Sequence, residues 1–294
     1  MTQKIHVIYH KNCADGFGAA WMAWQRFKDY AQYHPCSYGD DPPEMDQDST
    51  VYILDFSFPR AVMLELIKNH TEVILLDHHK SAEADIGDLP GCHFDMNHSG
   101  AYMAWEWFNF NGIDYTSPQW QFILYIEDRD LWNWKLPESR AFSTALASYP
   151  KDFYTWEALS HEIPRLKREG IAMLRAQNMQ IHMLIKNNVL WHYLGGHDIP
   201  VVNTPLLASE MCEALLEKFP DAPFAGTYYD HPDGKEHWSF HAVLNAQRVT
   251  KGLTWKQVTE QTGISRATLH RVKHGATMSF GLSLIHISEP TRPY

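Results

Sequence analysis

The N-terminal half alternates short apolar runs with helix-like stretches, and that alternation limits the possible folds more than any other feature. Lys4–Tyr9 (KIHVIY), Val51–Asp55 (VYILD) and Glu72–Asp77 (EVILLD) read as strands, with Gly16–Phe27 and Ala61–Asn69 as intervening helices. The last two strands are almost continuously apolar, as expected of strands buried on both faces. Strand, helix, strand, helix, strand predicts a parallel sheet with covering helices. Gly100–Phe110 and Pro118–Tyr125 read as further helices, and Trp156–Asn188 as a long helical stretch broken at Pro164. A second unit follows: strand Ile199–Asn203, helix Leu207–Lys218, strand Phe224–Tyr229, a turn at His231–Gly234 and a returning strand Glu236–Phe240. The expected class is α/β. Residues 1–155 form a parallel sheet with helices on both faces, 156–190 a helical connector, 191–244 a smaller partial α/β domain, and 245–281 a helical C-terminal segment.

A chain of 294 residues with 45 % hydrophobic content can bury such cores. Its formal charge of −10 argues against attracting long polyanions through the global field. Small or short anionic substrates fit better, met by local positive charge from a metal, a helix N-terminus or a few Lys and Arg. Cys13, Cys36, Cys92 and Cys212 contain no C-x-x-C pair and suggest neither a zinc ribbon nor a disulfide framework. No apolar run reaches the roughly 18–20 residues of a membrane span, so the expectation is a soluble cytoplasmic protein with no membrane partner.

Four segments place acids and imidazoles where apolar strands end. They are His10-x-x-Cys13-x-Asp15-Gly16, Ile53-Leu54-Asp55, Leu76-Asp77-His78-His79, and Ile126-Glu127-Asp128-Arg129-Asp130. Each reads as lying at or just beyond the carboxyl end of a strand, the edge where open parallel sheets bind ligands. Carboxylates with imidazole suit divalent metals such as Mn²⁺. Crowded carboxylates raise one another's pKa, and cations remove that penalty. Two cations about 3.5–4 Å apart can activate a water and stabilise a leaving oxygen in phosphoryl hydrolysis. Blander readings exist at single positions. A strand-end Asp is often a turn or cap residue. Cys13 reads as a small buried residue, a ligand, or a nucleophile beside His10. His98 before Ser99-Gly100 reads as a phosphate contact at a helix start or as a solvated loop histidine. Trp132-Asn133-Trp134 reads as packing ahead of a base-stacking platform.

In order and rough spacing these segments resemble the four motifs of the DHH phosphoesterase superfamily. Asp77-His78-His79 matches the name-giving motif, and Tyr9–Ala20 (YHKNCADGFGAA) resembles the first. The resemblance covers about residues 4–240. It implies Asp15, Asp55, His78 and Asp128 as metal ligands, with Asp55 bridging two ions and Asp130 as the alternative carboxylate of the fourth motif. It implies Asp77, His78 and His79 as the catalytic set: Asp77 orients its neighbouring imidazoles, and His79 stands near the substrate phosphate or leaving group. The implied cofactor is Mn²⁺, with Mg²⁺ or Co²⁺ as alternatives, in one or two ions. Many members carry Asp where this chain has Cys13. A second ion would then be held differently, by His10 or the Cys13 thiolate, or weakly. The implied activity is hydrolysis of phosphate esters of short nucleotides: oligoribonucleotides, cyclic dinucleotides or nucleoside bisphosphates. A second copy of the chain, in a homodimer, is a candidate partner.

The superfamily's glycine-rich Gly-Gly-Gly-His loop is missing, and Gly195-Gly196-His197 reads as a turn. In its place Leu253–Val272 resembles a phage-repressor-type helix-turn-helix, with Thr254 and Ser265 as caps and Gly263 at the turn. That reading puts Arg266 and His270 against bases of duplex DNA through residues 245–281. Residues 282–294 resemble translated sequencing-adapter read-through and are read as an artefactual tail. The rival functions are therefore a nucleotide-sensing DNA-binding regulator and a catalytically impaired scaffold.

Overall fold

The computed structural model describes residues 4–109, 114–194, 197–230 and 236–241. The helix-turn-helix-like segment at 245–281 and the tail at 282–294 lie outside them.

The first compact unit, Met1–Leu174, is built on five parallel strands: β1 (Ile5–His10), β2 (Ala31–Cys36), β3 (Thr50–Leu54), β4 (Glu72–Asp77) and β5 (Cys92–Phe94). Their order is β2-β1-β3-β4-β5. The chain moves outward from β1 to β2, then returns past β1 to lay down β3. The reversal opens a crevice between β1 and β3 at their carboxyl ends, the place where doubly wound sheets bind ligands.

Helices cover both faces because successive strand residues point to opposite sides. Val7, Leu54, Ile74 and Leu76 pack under α1 (Ala14–Phe27), α4 (Gly100–Phe108) and α5 (Pro118–Asp130), with Phe17, Trp21, Trp105, Phe122 and Ile126. Their sequence neighbours Ile8, Ile53, Val73 and Leu75 pack under α2 (Arg60–Asn69) and α3 (Lys80–Ile86), with Met63, Leu66 and Ile86. Helices α6 (Ser139–Leu146) and α7 (Phe153–Ser160) extend the first layer, where Trp156 is 1 % exposed against Phe17, Trp21 and Phe122.

Helix α8 (Ile163–Asn188) contains the division between units. The expected break at Pro164 does not occur. Proline sits in the first turn, where a helix has no use for its missing N–H. The second unit carries a four-stranded sheet in the order β6-β7-β8-β9, comprising Val189–Leu194, His197–Asn203, Ala225–Asp230 and Glu236–His241. The β7–β8 pair is parallel and the outer pairs are antiparallel. Helix α9 (Ala208–Lys218) packs Met211, Cys212 and Leu215 against Val202 and Ala225. Val189–Leu194 carries no expected strand, its first two residues falling in the helical connector and the other four in the smaller α/β domain, and it is a strand. Val189, Trp191 and Tyr193 are β-formers at alternate positions, and the strand, half-exposed or exposed along its length, pairs with β7. Among the described residues no helix is long and apolar enough to cross a membrane.

One contact in the first unit reverses an ordinary propensity argument. A Cβ on Gly170, in α8, would collide with the backbone carbonyl of Ala141, in α6. Replacing a mid-helix glycine with alanine normally stabilises by about 1 kcal/mol. Here Gly170→Ala is expected to destabilise the full chain by about 1–3 kcal/mol, read as a lower urea midpoint; a higher midpoint would contradict the close approach of α6 and α8.

Candidate metal centre

Strand register brings the acids together. Tyr9, Leu54 and Leu76 are level across β1, β3 and β4. The next residue on each chain is therefore His10, Asp55 or Asp77, on strands about 4.8 Å apart. Asp55 occupies the middle, at the crevice, and is 1 % exposed. Its backbone is left-handed, φ 52°, an uncommon state for a residue with a Cβ. Its N–H is fixed on the Leu76 carbonyl at 2.9 Å.

Around Asp55 the side chains converge. His78 Nε2 is 3.2 Å from Asp55 Oδ1, 3.6 Å from Asp15 Oδ2 and 3.6 Å from Asp130 Oδ2. On the other side, His10 Nδ1 is 3.6 Å from Asp55 Oδ2. Three overlapping sets have donor atoms within 4.8 Å of one another: Asp15, His78 and Asp130; Asp55, His78 and His79; and His10, Cys13 and Asp55.

Asp77 braces its neighbours. Its Oδ1 accepts from the His78 N–H at 2.7 Å and the His79 N–H at 3.3 Å, and lies 2.6 Å from His79 Nδ1. For His78 it fixes the backbone; for His79 it fixes the ring through Nδ1. Asp15 is held by the start of α4, taking the Gly100 N–H at 2.7 Å and the Ala101 N–H at 2.9 Å. A Cβ at Gly100 would stand 2.5 Å from the Asp55 Cβ and 3.1 Å from Asp15 Oδ2. Only glycine lets the helix approach both acids this closely.

The electrostatics without a cation are unfavourable. Burial, then Asp130 and Asp55, push the Asp15 carboxyl well above the usual range. Burial also raises Asp130, and the pull of His78 does not offset it. Burial would raise Asp55 too, but the imidazoles of His10 and His78 outweigh it and hold that carboxyl low. His78 moves well up, because Asp55, Asp130 and Asp15 overcome the burial that would lower it. Asp55 Oδ2 is shielded from solvent and accepts no hydrogen bond. A buried acceptor whose nearby imidazole, His10, stands 3.6 Å away, in a ring of like charges, is what a bound cation would relieve. The oxygens of Asp15, Asp55 and Asp130 with one imidazole nitrogen form a donor set that fits Mn²⁺, Mg²⁺ or Co²⁺.

The fourth segment needs correction. Ile126–Asp130 ends a helix, α5, and follows no strand. Asp128 does not face the cluster and belongs to none of the three sets found among the described residues. Its carboxylate takes the N–H groups of Lys135 at 2.9 Å and Leu136 at 3.1 Å, and its carbonyl takes those of Asn133 and Trp134. Asp128 thus organises the loop after α5, while Asp130 reaches His78. In that loop Trp132 and Trp134 meet edge to face at 4.9 Å, with the Arg140 guanidinium 4.2 Å from the Trp134 ring.

Two features escaped the sequence reading. Glu127 takes the Ser99 N–H at 3.1 Å and sits 3.2 Å from His98 Nδ1, whose ring stacks on Tyr102 at 3.7 Å. The adjacency of Glu127 to the fourth-motif acids was a usable signal. Tyr38 lies 5.5 Å from the His10 ring and 6.1 Å from the His79 ring. It belongs to the irregular stretch between β2 and β3, where no periodicity marks it.

No protein-family model matches the chain. An uncharacterised protein of Acanthamoeba polyphaga mimivirus is 28 % identical over 241 residues, covering 74 % of this chain and 56 % of that protein. The chain thus matches little more than half the length of this curated relative. Among solved structures, an uncharacterised Helicobacter pylori protein is similar with 14 % identity and a TM-score of 0.40, over 78 % of this chain and 83 % of that one. RecJ of Thermus thermophilus in complex with Mn²⁺ is similar with 14 % identity and a TM-score of 0.41, over 77 % of this chain and 43 % of that one.

The two acids of α5 can be separated by experiment. Asp128→Ala removes the acceptor of two partly buried amides and should destabilise the metal-free protein by about 1–3 kcal/mol, while Mn²⁺ still raises its melting temperature. Asp130→Asn should leave the metal-free protein as stable or more so, because it relieves crowding among carboxylates, and should abolish the Mn²⁺-induced rise. Thermal melts with and without the cation check both; the reverse pattern would return Asp128 to the site.

Proposed function

We propose that this chain is a divalent-cation-dependent phosphoesterase of the DHH type, acting on phosphate esters of short nucleotides. The observation that carries the reading is the convergence of Asp15, Asp55, His78 and Asp130 at the β1/β3 crevice, beside an Asp77–His79 pair. The motif resemblance at those residues supports it, and so does a net charge of −10, which disfavours long polyanions.

Asp15, Asp55, Asp130 and His78 would hold the cation. When bound, it would supply Lewis-acid charge to the phosphate and make a water nucleophilic at neutral pH. The other roles belong to the chain. Asp77 holds His79 in one orientation, with Nε2 free to donate to a phosphate oxygen or to the leaving group. The Gly100 and Ala101 amides keep the Asp15 carboxylate aimed at His78. The left-handed backbone at Asp55 turns that side chain into the crevice, with Oδ1 toward His78 and Oδ2 toward His10.

The test is hydrolysis of bis(p-nitrophenyl) phosphate and of a short oligoribonucleotide by the full chain, with added Mn²⁺ and with EDTA. Activity is expected with manganese and not with EDTA. Asp55→Asn should lower the rate by on the order of 10²-fold or more, the scale of losing one group that stabilises transition-state charge. The Asp77→Ala, His78→Ala double variant should be inactive, and a rate equal to that of the unaltered chain would end the reading.

A further inference from the structure

We infer that Tyr38 is the base-recognition residue of the proposed site: its ring stands beside His10 and His79 and stacks on the nucleobase of the nucleotide whose phosphate that site takes. The inference rests on the proposed function and adds the side chain that would tell a nucleotide from a bare phosphate ester.

The chain sets this aromatic on a fixed turn. After β2, the Asp40 N–H donates to the Ser37 carbonyl at 3.0 Å. Gly39, third in the turn, has φ 98°, while Tyr38 before it is not left-handed, so the turn is of type II. The Asp40 carboxylate accepts the Ser37 N–H at 2.8 Å and ties the same residues a second time. A Cβ at Gly39 would meet nothing within 4 Å, so glycine serves there for its dihedral and not for room. Tyr38 occupies the second position of this turn and is 51 % exposed.

The ring is also oriented. It leans on Phe56 at 5.1 Å, and Phe56, a buried side chain, is itself set edge to face on Phe58 at 4.9 Å. It meets the His10 ring at 5.5 Å and the His79 ring at 6.1 Å, edge to face in both cases. Single exposed aromatics are ordinary on a protein surface; the placement of this one is not. Among the described residues, no other exposed large apolar or aromatic side chain makes a ring contact with an imidazole of the site. An aromatic already held in one orientation loses little entropy when a ligand stacks on it.

The position fits a base. A nucleotide joins phosphate to base through a sugar, so a base-binding surface belongs next to the phosphate-binding groups without coinciding with them. Tyr38 is in ring contact with His79, the proposed donor to the phosphate, and belongs to none of the three donor sets. Tyrosine is uncharged at neutral pH, so it neither attracts nor repels the phosphate. Every base has a π face, so stacking on this ring accepts any base. In a chain of net charge −10, such a neutral contact adds affinity that the global field does not. The substrate class is then single-stranded nucleotides of any base, because a paired base is stacked on its neighbours and must be splayed out to reach a side-chain ring.

The experiment compares binding of AMP and of ribose 5-phosphate to the Mn²⁺-loaded full chain by isothermal titration calorimetry. The two ligands share a phosphate and a sugar and differ in the base. AMP should bind roughly tenfold tighter, the scale of stacking a base on an aromatic ring. Tyr38→Ala should lose that advantage and keep the affinity for ribose 5-phosphate, while Tyr38→Phe should keep both. Equal affinities in the unaltered chain would overturn the inference and leave the phosphoesterase reading standing. An AMP advantage that survives in Tyr38→Ala would put the base elsewhere, with the Trp132–Trp134 loop as the next place to look, and would overturn it too. A loss of affinity for both ligands alike in Tyr38→Ala would reduce Tyr38 to a support of the site. No Mn²⁺-dependent binding of either ligand would overturn both readings.

Discussion

Three buried carboxylates crowd around one imidazole, and the rest of the first unit is arranged to keep them there. Asp15, Asp55 and Asp130 each reach His78 within 3.6 Å. Like charges at such range, removed from water, favour protonation or a counter-charge. The structure does not disperse them. The α4 amides hold Asp15, the left-handed turn after β3 holds Asp55, and Gly100 is small enough to let α4 close against both. Strained backbone at Asp55, kept together with the close approach of α4, argues that the crowding has a use. A divalent cation, as proposed above, would supply that use, because it would convert mutual repulsion into shared coordination.

Asp55 is the hinge of this arrangement, and sheet topology explains why. Order β2-β1-β3-β4-β5 puts β3 between the strand that delivers His10 and the strand that delivers Asp77 and His78. A side chain at the end of β3 can therefore meet both neighbours at once. An acid at the end of β2 or β5 would meet one. The two oxygens of Asp55 divide accordingly, one toward His78 and one toward His10.

Much of this was legible because it follows from period and chain order. The three central strands and the helices between them show in the alternation of apolar runs, and three of the four acid-bearing segments fall at their ends. The fourth did not yield to the same logic. Asp128 and Asp130 lie two residues apart on a helix, which turns one about 200° from the other. Which of them faces the site depends on the rotation of α5 against the sheet, and tertiary packing sets that rotation. The sequence offers both carboxylates equally. Gly100 is similar: its value lies in the distance to Asp55, 45 positions earlier, and nothing local records it. Short strands such as Cys92–Phe94 are also invisible from sequence, since three residues carry too little pattern and exist by pairing with Glu72–Asp77. Val189–Leu194 was hidden for another reason, because it continues directly from a 26-residue helix.

The start of α4 bears on how the proposed substrate would be recognised. A helix N-terminus following His98-Ser99 offers itself as a phosphate site. Its donors are already engaged. The Ser99 N–H goes to Glu127, the Gly100 and Ala101 N–H groups to Asp15, and the Tyr102 N–H to Ser99 Oγ. The anion at this helix is the chain's own aspartate. The field that could have drawn a phosphate instead steadies Asp15, a proposed ligand of the cation. In a chain of net charge −10, the attraction for the proposed phosphate substrate would then come from the cation with the nearby histidines. A ligand that binds only through a second ligand is thermodynamically linked to it. Under the proposed function, cation occupancy and phosphate affinity would rise and fall together, and each carboxylate holding the ion would contribute to substrate binding without touching the substrate.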